Sequence, residues 1–276
     1  MKKFMMISFT ALVLAGCSDS GQGNSEAEET EETEETEETN EAAEQEETDT
    51  AAESEPKQEE EQQPDNTAVY SVNEADASLQ AETETENPAV LLTIDDAPDT
   101  YGVEMAEKLK ERDIPAIFFV NGHFINDEEG KKDLQAIYDM GFEIGNHTMS
   151  HPDLTSLSEE EQKTEIVELN NEIEEITGEK PQFFRAPFGM NTEYSKALME
   201  EEDMIWMNWT YGYDWEPEYQ NAEALADIMV NTELVRDGAN LLMHDREWTN
   251  EALPEIIDGF EENGYDFIDP AHIESN

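Results

Sequence analysis

The chain has 276 residues, 71 acidic and 14 basic, and carries a net charge of −57 at pH 7. That surplus excludes nucleic acid as a partner, because binding phosphates needs a basic surface. The first third is too polar to build a core, which leaves about 190 residues, enough for a single domain.

Residues 1–16 read as a secretory signal: Met1-Lys2-Lys3 is a basic start, a short apolar run follows, and Leu14-Ala15-Gly16 is a small-residue processing site. The apolar run is far shorter than the roughly 20 residues that cross a bilayer. Leu14-Ala15-Gly16-Cys17 resembles a bacterial lipobox, which implies cleavage before Cys17 and lipidation of its thiol. Cys17 is the only cysteine, so no disulfide forms within the chain. These features predict an exported protein held by acyl chains to the outer face of the cell membrane.

Residues 17–87 are expected to be a disordered acidic tether. Positions 18–87 hold 26 acidic residues and one basic residue, Lys57, with almost no large apolar side chains, so ordering is not offset by burial. Like-charge repulsion extends such a chain.

From residue 88 to 276, apolar runs alternate with amphipathic stretches, the pattern of parallel strands joined by helices. The expected strands are Val90–Ile94, Ala116–Val120, Phe142–Gly145, Gln182–Phe184, Met204–Met207, Asn240–Met243 and Asp266–Ile268. The expected helices are Met105–Arg112, Lys132–Met140, one from Ser158 to Gly178 opened by a Ser158/Glu161 capping box, Tyr194–Glu201, Ala222–Val235 and Glu251–Asn263. Seven strand–helix units predict a barrel, whose site is built where strands end and loops begin.

Residues able to do chemistry fall at those ends. Asp95 and Asp96 close the first strand, an arrangement that a cation or a proton must relieve; one carboxylate can ligate a metal while the other acts as a base. His147 and His151 are spaced i, i+4, which on a helical turn would bring two ring nitrogens onto one ion. Together with one aspartate they make three protein ligands, the pattern of an open catalytic zinc site, and a nitrogen–oxygen donor set also admits cobalt, nickel or iron. Near the unmetallated aspartate, Arg185 would hold that carboxylate ionised. Trp209 to Trp215 concentrates aromatics around Asp214, and His244 at a strand end suits general acid catalysis. His123 and His272 match no metal motif and read as structural or exposed.

The order Thr93-Ile94-Asp95-Asp96, His147-Thr148-Met149-Ser150-His151-Pro152, Arg185-Ala186-Pro187-Phe188-Gly189, Asp214-Trp215 and Leu241-Leu242-Met243-His244-Asp245 resembles the polysaccharide deacetylases with a NodB-homology domain, carbohydrate esterase family four. The resemblance covers roughly 88–270. It implies a distorted (β/α)7 barrel, a divalent metal, usually zinc, and hydrolysis of N-acetyl groups from N-acetylhexosamine polymers, or sometimes O-acetyl groups from xylan. Carried over, Asp96, His147 and His151 are the metal ligands, Asp95 the general base and His244 the general acid. Arg185 orients Asp95 and Asp214 pairs with His244, while Phe188, Trp215, Tyr211 and Leu242 contact the substrate. Ile94 and Ala97 stand where the family often has Phe and Gly, and Tyr211 replaces a frequent acid.

The resulting expectation is a lipid-anchored, metal-dependent N-deacetylase acting on peptidoglycan, with a monomer favoured. Chitin oligomers, poly-N-acetylglucosamine and acetylxylan are the alternative substrates. An inactive carbohydrate-binding lipoprotein is the alternative of another class; it would be favoured by loss of Asp95 or His244, and both are present.

Overall fold

The computed structural model describes residues 69–274. The signal 1–16, Cys17 and the acidic stretch to residue 68 lie outside the described residues.

The described chain begins with two short strands, β1 (Tyr70–Val72) and β2 (Leu79–Ala81), followed by β3 (Ala89–Ala97), α1 (Gly102–Lys110), β4 (Ile117–Val120) and α2 (Glu128–Asp139). Next come β5 (Glu143–Asn146), α3 (Glu159–Thr177), β6 (Phe183–Phe184), α4 (Glu193–Glu202), β7 (Ile205–Trp206) and α5 (Ala222–Asn231). The chain then runs through β8 (Ala239–His244), α6 (Glu247–Glu262), β9 (Asp266–Phe267) and β10 (Ile273–Glu274). All seven expected strands form, and all six expected helices.

The helix ends follow local chemistry. Ser158 and Glu161 exchange the capping-box bonds at the start of α3, and Gly178, at φ 85°, ends it in the left-handed conformation. Helix α5 stops four residues short of the expected Val235, because Thr232 turns to extended backbone at φ −65°, ψ 150°.

Strands β3 to β9 form one parallel sheet in the order β7-β6-β5-β4-β3-β8, with β9 also paired to β3. It curls into the distorted (β/α)7 barrel. Between β7 and β8 the ladder is reduced to a few bonds: Thr210 N–H donates to Asn240 at 2.8 Å and Leu242 N–H to Tyr211 at 2.9 Å. Strand β3 is buried on both faces, which is why it reads as an unbroken apolar run rather than an alternating one. Val90, Leu92 and Ile94 pack outward against the helices, whereas Leu91 joins Ile117, Phe119, Phe183 and Met207 inside the barrel.

The boundary at residue 87 is corrected. Strands β1 and β2 pair antiparallel, β10 adds to β1 in parallel, and Tyr70, Val72, Leu79 and Ile273 join the barrel's interior cluster. The hairpin is seated on Gly238: Leu79 N–H donates to its carbonyl at 2.7 Å, and the Leu79 carbonyl oxygen lies 1.9 Å from where a Cβ would stand. With φ at 73°, the position suits only glycine. Composition concealed this segment because its few apolar residues are held on the barrel by Gly238 and β10, about 160 to 200 positions away, not by local periodicity.

Candidate active site

Asp95 and Asp96 lie near the carboxyl end of β3, His147 follows β5 directly, Arg185 follows β6, Asp214 lies in the loop after β7, and His244 ends β8. A cavity of about 530 Å³ opens there; Asp95, Asp96, His147, His151, Asp214 and His244 all face it. Parallel strands deliver these residues to one rim, since every strand of the sheet ends on the same side.

Asp95 and Arg185 are both shut off from solvent. Arg185 Nη1 donates to Asp95 Oδ1 at 2.6 Å and to Thr93 Oγ1 at 2.7 Å, while Nη2 donates to the Asn208 carbonyl and to Asn240 Oδ1. Burial pushes the guanidinium below its ordinary value, and the Asp95 charge pulls the other way. Arginine remains charged, so Asp95 stands beside a fixed cation with Oδ2 turned toward the cavity.

Asp96, His147 and His151 form a group whose donor atoms all lie within 4.8 Å of one another. Asp96 Oδ1 and His151 Nε2 are 3.6 Å apart. Donors held at 2.0–2.2 Å around a tetrahedral ion stand about 3.4 Å from each other, so this spacing fits. The His147 Nδ1–H donates to the Arg185 carbonyl at 2.7 Å, which turns an unprotonated Nε2 toward the cavity. Burial, above all, pushes this imidazole below its ordinary value, and the charges of Asp95 and Asp96 pull the other way. Around Asp96, burial would raise the carboxyl, but His147, His244, His151 and Arg246 outweigh it and hold the group below the usual carboxylate range. A carboxylate and two imidazoles suit a divalent metal.

The two histidines do not converge on a helical turn, as the spacing suggested. Residues 147–153 are a loop, with Thr148 at φ 70° and His151 at φ 58°. Asn146 Oδ1 accepts the Thr148 N–H, and Asn121 Nδ2 donates to the carbonyls of His147 and Thr148. Left-handed backbone at non-glycine residues is strained and gathers at functional sites; Asp96 (φ 59°) and Phe188 (φ 58°) share it.

Opposite the metal group, the His244 Nδ1–H donates to Asp214 Oδ1 at 2.7 Å. Asp214 is fixed in turn by the His244 N–H, Thr249 Oγ1 and, at its carbonyl, Trp248 Nε1. Burial alone would lower the His244 pKa; the Asp214 bond and the charges of Asp214, Asp95 and Asp96 outweigh it, and the net direction is upward.

Of the residues expected to touch substrate, Phe188, Trp215 and Leu242 line the cavity, with Phe188 62% and Trp215 42% exposed. Tyr211 is a correction: it is buried in the core, and its hydroxyl donates to the Met229 carbonyl at 2.7 Å. His123 is exposed and His272 half-buried, both away from the cavity. Trp209, Gln220, Arg246 and Trp248 also line it, and sequence reasoning gave none of them a role. For Trp209 the signal was its place in the aromatic stretch. Arg246, two residues past His244, gave none.

Comparison with known proteins follows the same line. A family profile described as "Polysaccharide deacetylase" matches residues 82–207. A peptidoglycan-N-acetylmuramic acid deacetylase, PdaA, of Bacillus subtilis is 30% identical over 190 residues, covering 66% of this chain and 70% of the relative. A peptidoglycan-N-acetylglucosamine deacetylase of Bacillus cereus is 29% identical over 188 residues, covering 65% and 66%. The structure of the peptidoglycan deacetylase PdaC from Bacillus subtilis superposes with a TM-score of 0.61 at 28% identity, over 68% of this chain and 91% of that one.

Proposed function

The chain belongs to the polysaccharide deacetylase family, and we propose that it hydrolyses N-acetyl groups on the N-acetylglucosamine-type residues of peptidoglycan, releasing acetate. The observation that carries this reading is the pairing on one cavity of a carboxylate fixed by arginine, Asp95, with an imidazole fixed by aspartate, His244, on either side of a three-donor metal group.

Asp96, His147 and His151 would hold the metal, with zinc the favoured ion. A divalent ion held there would supply Lewis-acid polarisation of the acetyl carbonyl and would acidify the attacking water. Asp95 takes the proton of that water through Oδ2, since Oδ1 is committed to Arg185. His244 keeps a proton on its free Nε2 and passes it to the departing sugar nitrogen, which leaves as a neutral amine. Asp214 holds the ring in the required tautomer and stabilises its charged form. A backbone N–H near Phe188 would assist the oxyanion. Phe188, Trp215 and Leu242 offer apolar faces to the sugar and the acetyl methyl. With both proton-transferring groups in place, the binding-protein alternative loses its motive.

Peptidoglycan is favoured because it surrounds a protein exported by the signal 1–16, lipidated at Cys17 and carried on an acidic tether; the names of the relatives support the same polymer. The reading is tested with the chain from Ser18 onward, supplied with zinc, by measuring acetate release from purified peptidoglycan, chitin oligomers and acetylxylan side by side. Release from peptidoglycan is expected. Release from chitin oligomers or acetylxylan alone would move the substrate, and silence on all three with zinc bound would overturn the enzymatic reading.

A further inference from the structure

Arg246 is the residue immediately before α6, half-exposed on the same cavity. Its Nη2 donates to Asp96 Oδ2 at 2.8 Å, and its Nη1 donates to the Asp245 carbonyl at 2.7 Å and to Asp99 Oδ2 at 3.3 Å. Asp96 therefore divides its two oxygens: Oδ2 is taken by the guanidinium, and Oδ1 is the one set 3.6 Å from His151 Nε2. The backbone of Asp96 is left-handed at φ 59°, a conformation that a non-glycine residue keeps only when its surroundings over-determine it. Those surroundings come from the loop after β8. Buried Asp245 accepts the N–H groups of Asp99, Thr100, Tyr101 and Gly102, and Arg246 ties down the side chains of Asp96 and Asp99.

We propose that Arg246 is a positioning residue for the metal site: by holding Asp96 Oδ2 it confines that carboxylate to ligation through Oδ1 alone and keeps its strained backbone in place. The proposal rests on the reading of Asp96, His147 and His151 as the ligands. One-oxygen ligation leaves three protein donors and one position for water or substrate, as catalytic sites require. A second carboxylate oxygen turned to the ion would fill that position. The planar fork of arginine reaches Asp96 and Asp99 at once, which the single ammonium of lysine does not reproduce.

The test uses the chain from Ser18 onward and reads the metal rather than turnover. Zn²⁺ affinity is measured by competition with a chromophoric chelator, and coordination by the visible spectrum of the Co²⁺-loaded protein. Arg246→Ala is expected to weaken Zn²⁺ binding by about 10- to 100-fold and to replace the intense four-coordinate Co²⁺ absorption with the weak bands of a higher coordination number. Arg246→Lys should recover part of the affinity, and Asp99→Asn should fall between wild type and Arg246→Ala. Should Arg246→Ala not fold, these two variants carry the test. Unchanged affinity and spectrum across the series, with uptake abolished in His151→Ala, would overturn the proposal alone, leaving Arg246 an ordinary surface ion pair. A wild type that takes up neither ion would overturn the ligand assignment and the proposal with it.

Discussion

Arg185 Nη1 meets Asp95 Oδ1 at 2.6 Å with both side chains buried, and the carbonyl of the same arginine accepts the His147 Nδ1–H at 2.7 Å. One residue thus orients the proposed base through its side chain and a proposed metal ligand through its backbone. The carboxylate and the imidazole stand 3.5 Å apart as a consequence, from His147 Nε2 to Asp95 Oδ2.

Asp95→Asn keeps a hydrogen-bond acceptor for Arg185 but removes the proton acceptor. Acetate release should fall by about 10²- to 10⁴-fold, while metal content by elemental analysis stays near wild type. Because the buried guanidinium loses its counter-charge, stability should also fall by an amount on the order of 3 kcal/mol, read by chemical denaturation. Turnover within fivefold of wild type would remove Asp95 from the role of base.

Asp214→Asn tests the other proton-transferring group. In the wild type the Asp214 bond and the nearby carboxylates outweigh burial and raise the His244 pKa, so the ring stays protonated to higher pH than an ordinary histidine. Removing the Asp214 charge should move the alkaline limb of the pH–rate profile to lower pH and reduce kcat by about 10²-fold. An alkaline limb that stays in place would show that another group sets it.

Deleting the β1–β2 hairpin should uncover the barrel interior. A fragment beginning at residue 88 lacks Tyr70, Val72 and Leu79, which pack on Leu91, Ile117, Phe119 and Phe183. At about 1.5–3 kcal/mol for each large apolar side chain, it should be less stable than a fragment beginning at residue 61 by roughly 5 kcal/mol. Chemical denaturation of the two compares them directly, and equal midpoints would show the hairpin to be dispensable.

Glu143 supplies a pH signature away from the active site. Burial, then the charges of Glu179 and Asp269, push its carboxyl up to about 7. The folded protein keeps this proton where the unfolded chain has released it, so its contribution to stability is full below about pH 4.5 and is lost as pH rises toward 7. Glu143→Gln should therefore stabilise the protein at pH 8, by an amount on the order of 3 kcal/mol, and leave it unchanged at pH 4. Identical gains at both values would assign the effect to packing instead.

Much of this arrangement was legible in the chain. Unbroken apolar runs such as Val90–Ile94 read as strands because parallel strands are buried on both faces, and the amphipathic stretch closed by Ser158 and Gly178 gave α3 to the residue. Asp95, Asp96, His147, Arg185 and His244 stood out because each ends or directly follows such a run, and Asp214 because aromatics surround it. What was hidden depended on partners far away in sequence. The hairpin is held by Gly238 and β10, and Arg246 meets an aspartate 150 positions earlier. Tyr211 misled for the opposite reason: a motif position says where a residue lies along the chain and nothing about which way its ring turns.

The sequence by itself determined the strand–helix alternation, the family and the set of groups able to do chemistry, since periodicity and spacing are properties of neighbouring residues. Only the tertiary structure decided which oxygen of Asp95 is free, that His147 presents Nε2, and that the two histidines meet through a left-handed loop and not a helix. These are matters of direction. Direction is set by the hydrogen bonds and packing that remain when distant strands are brought side by side.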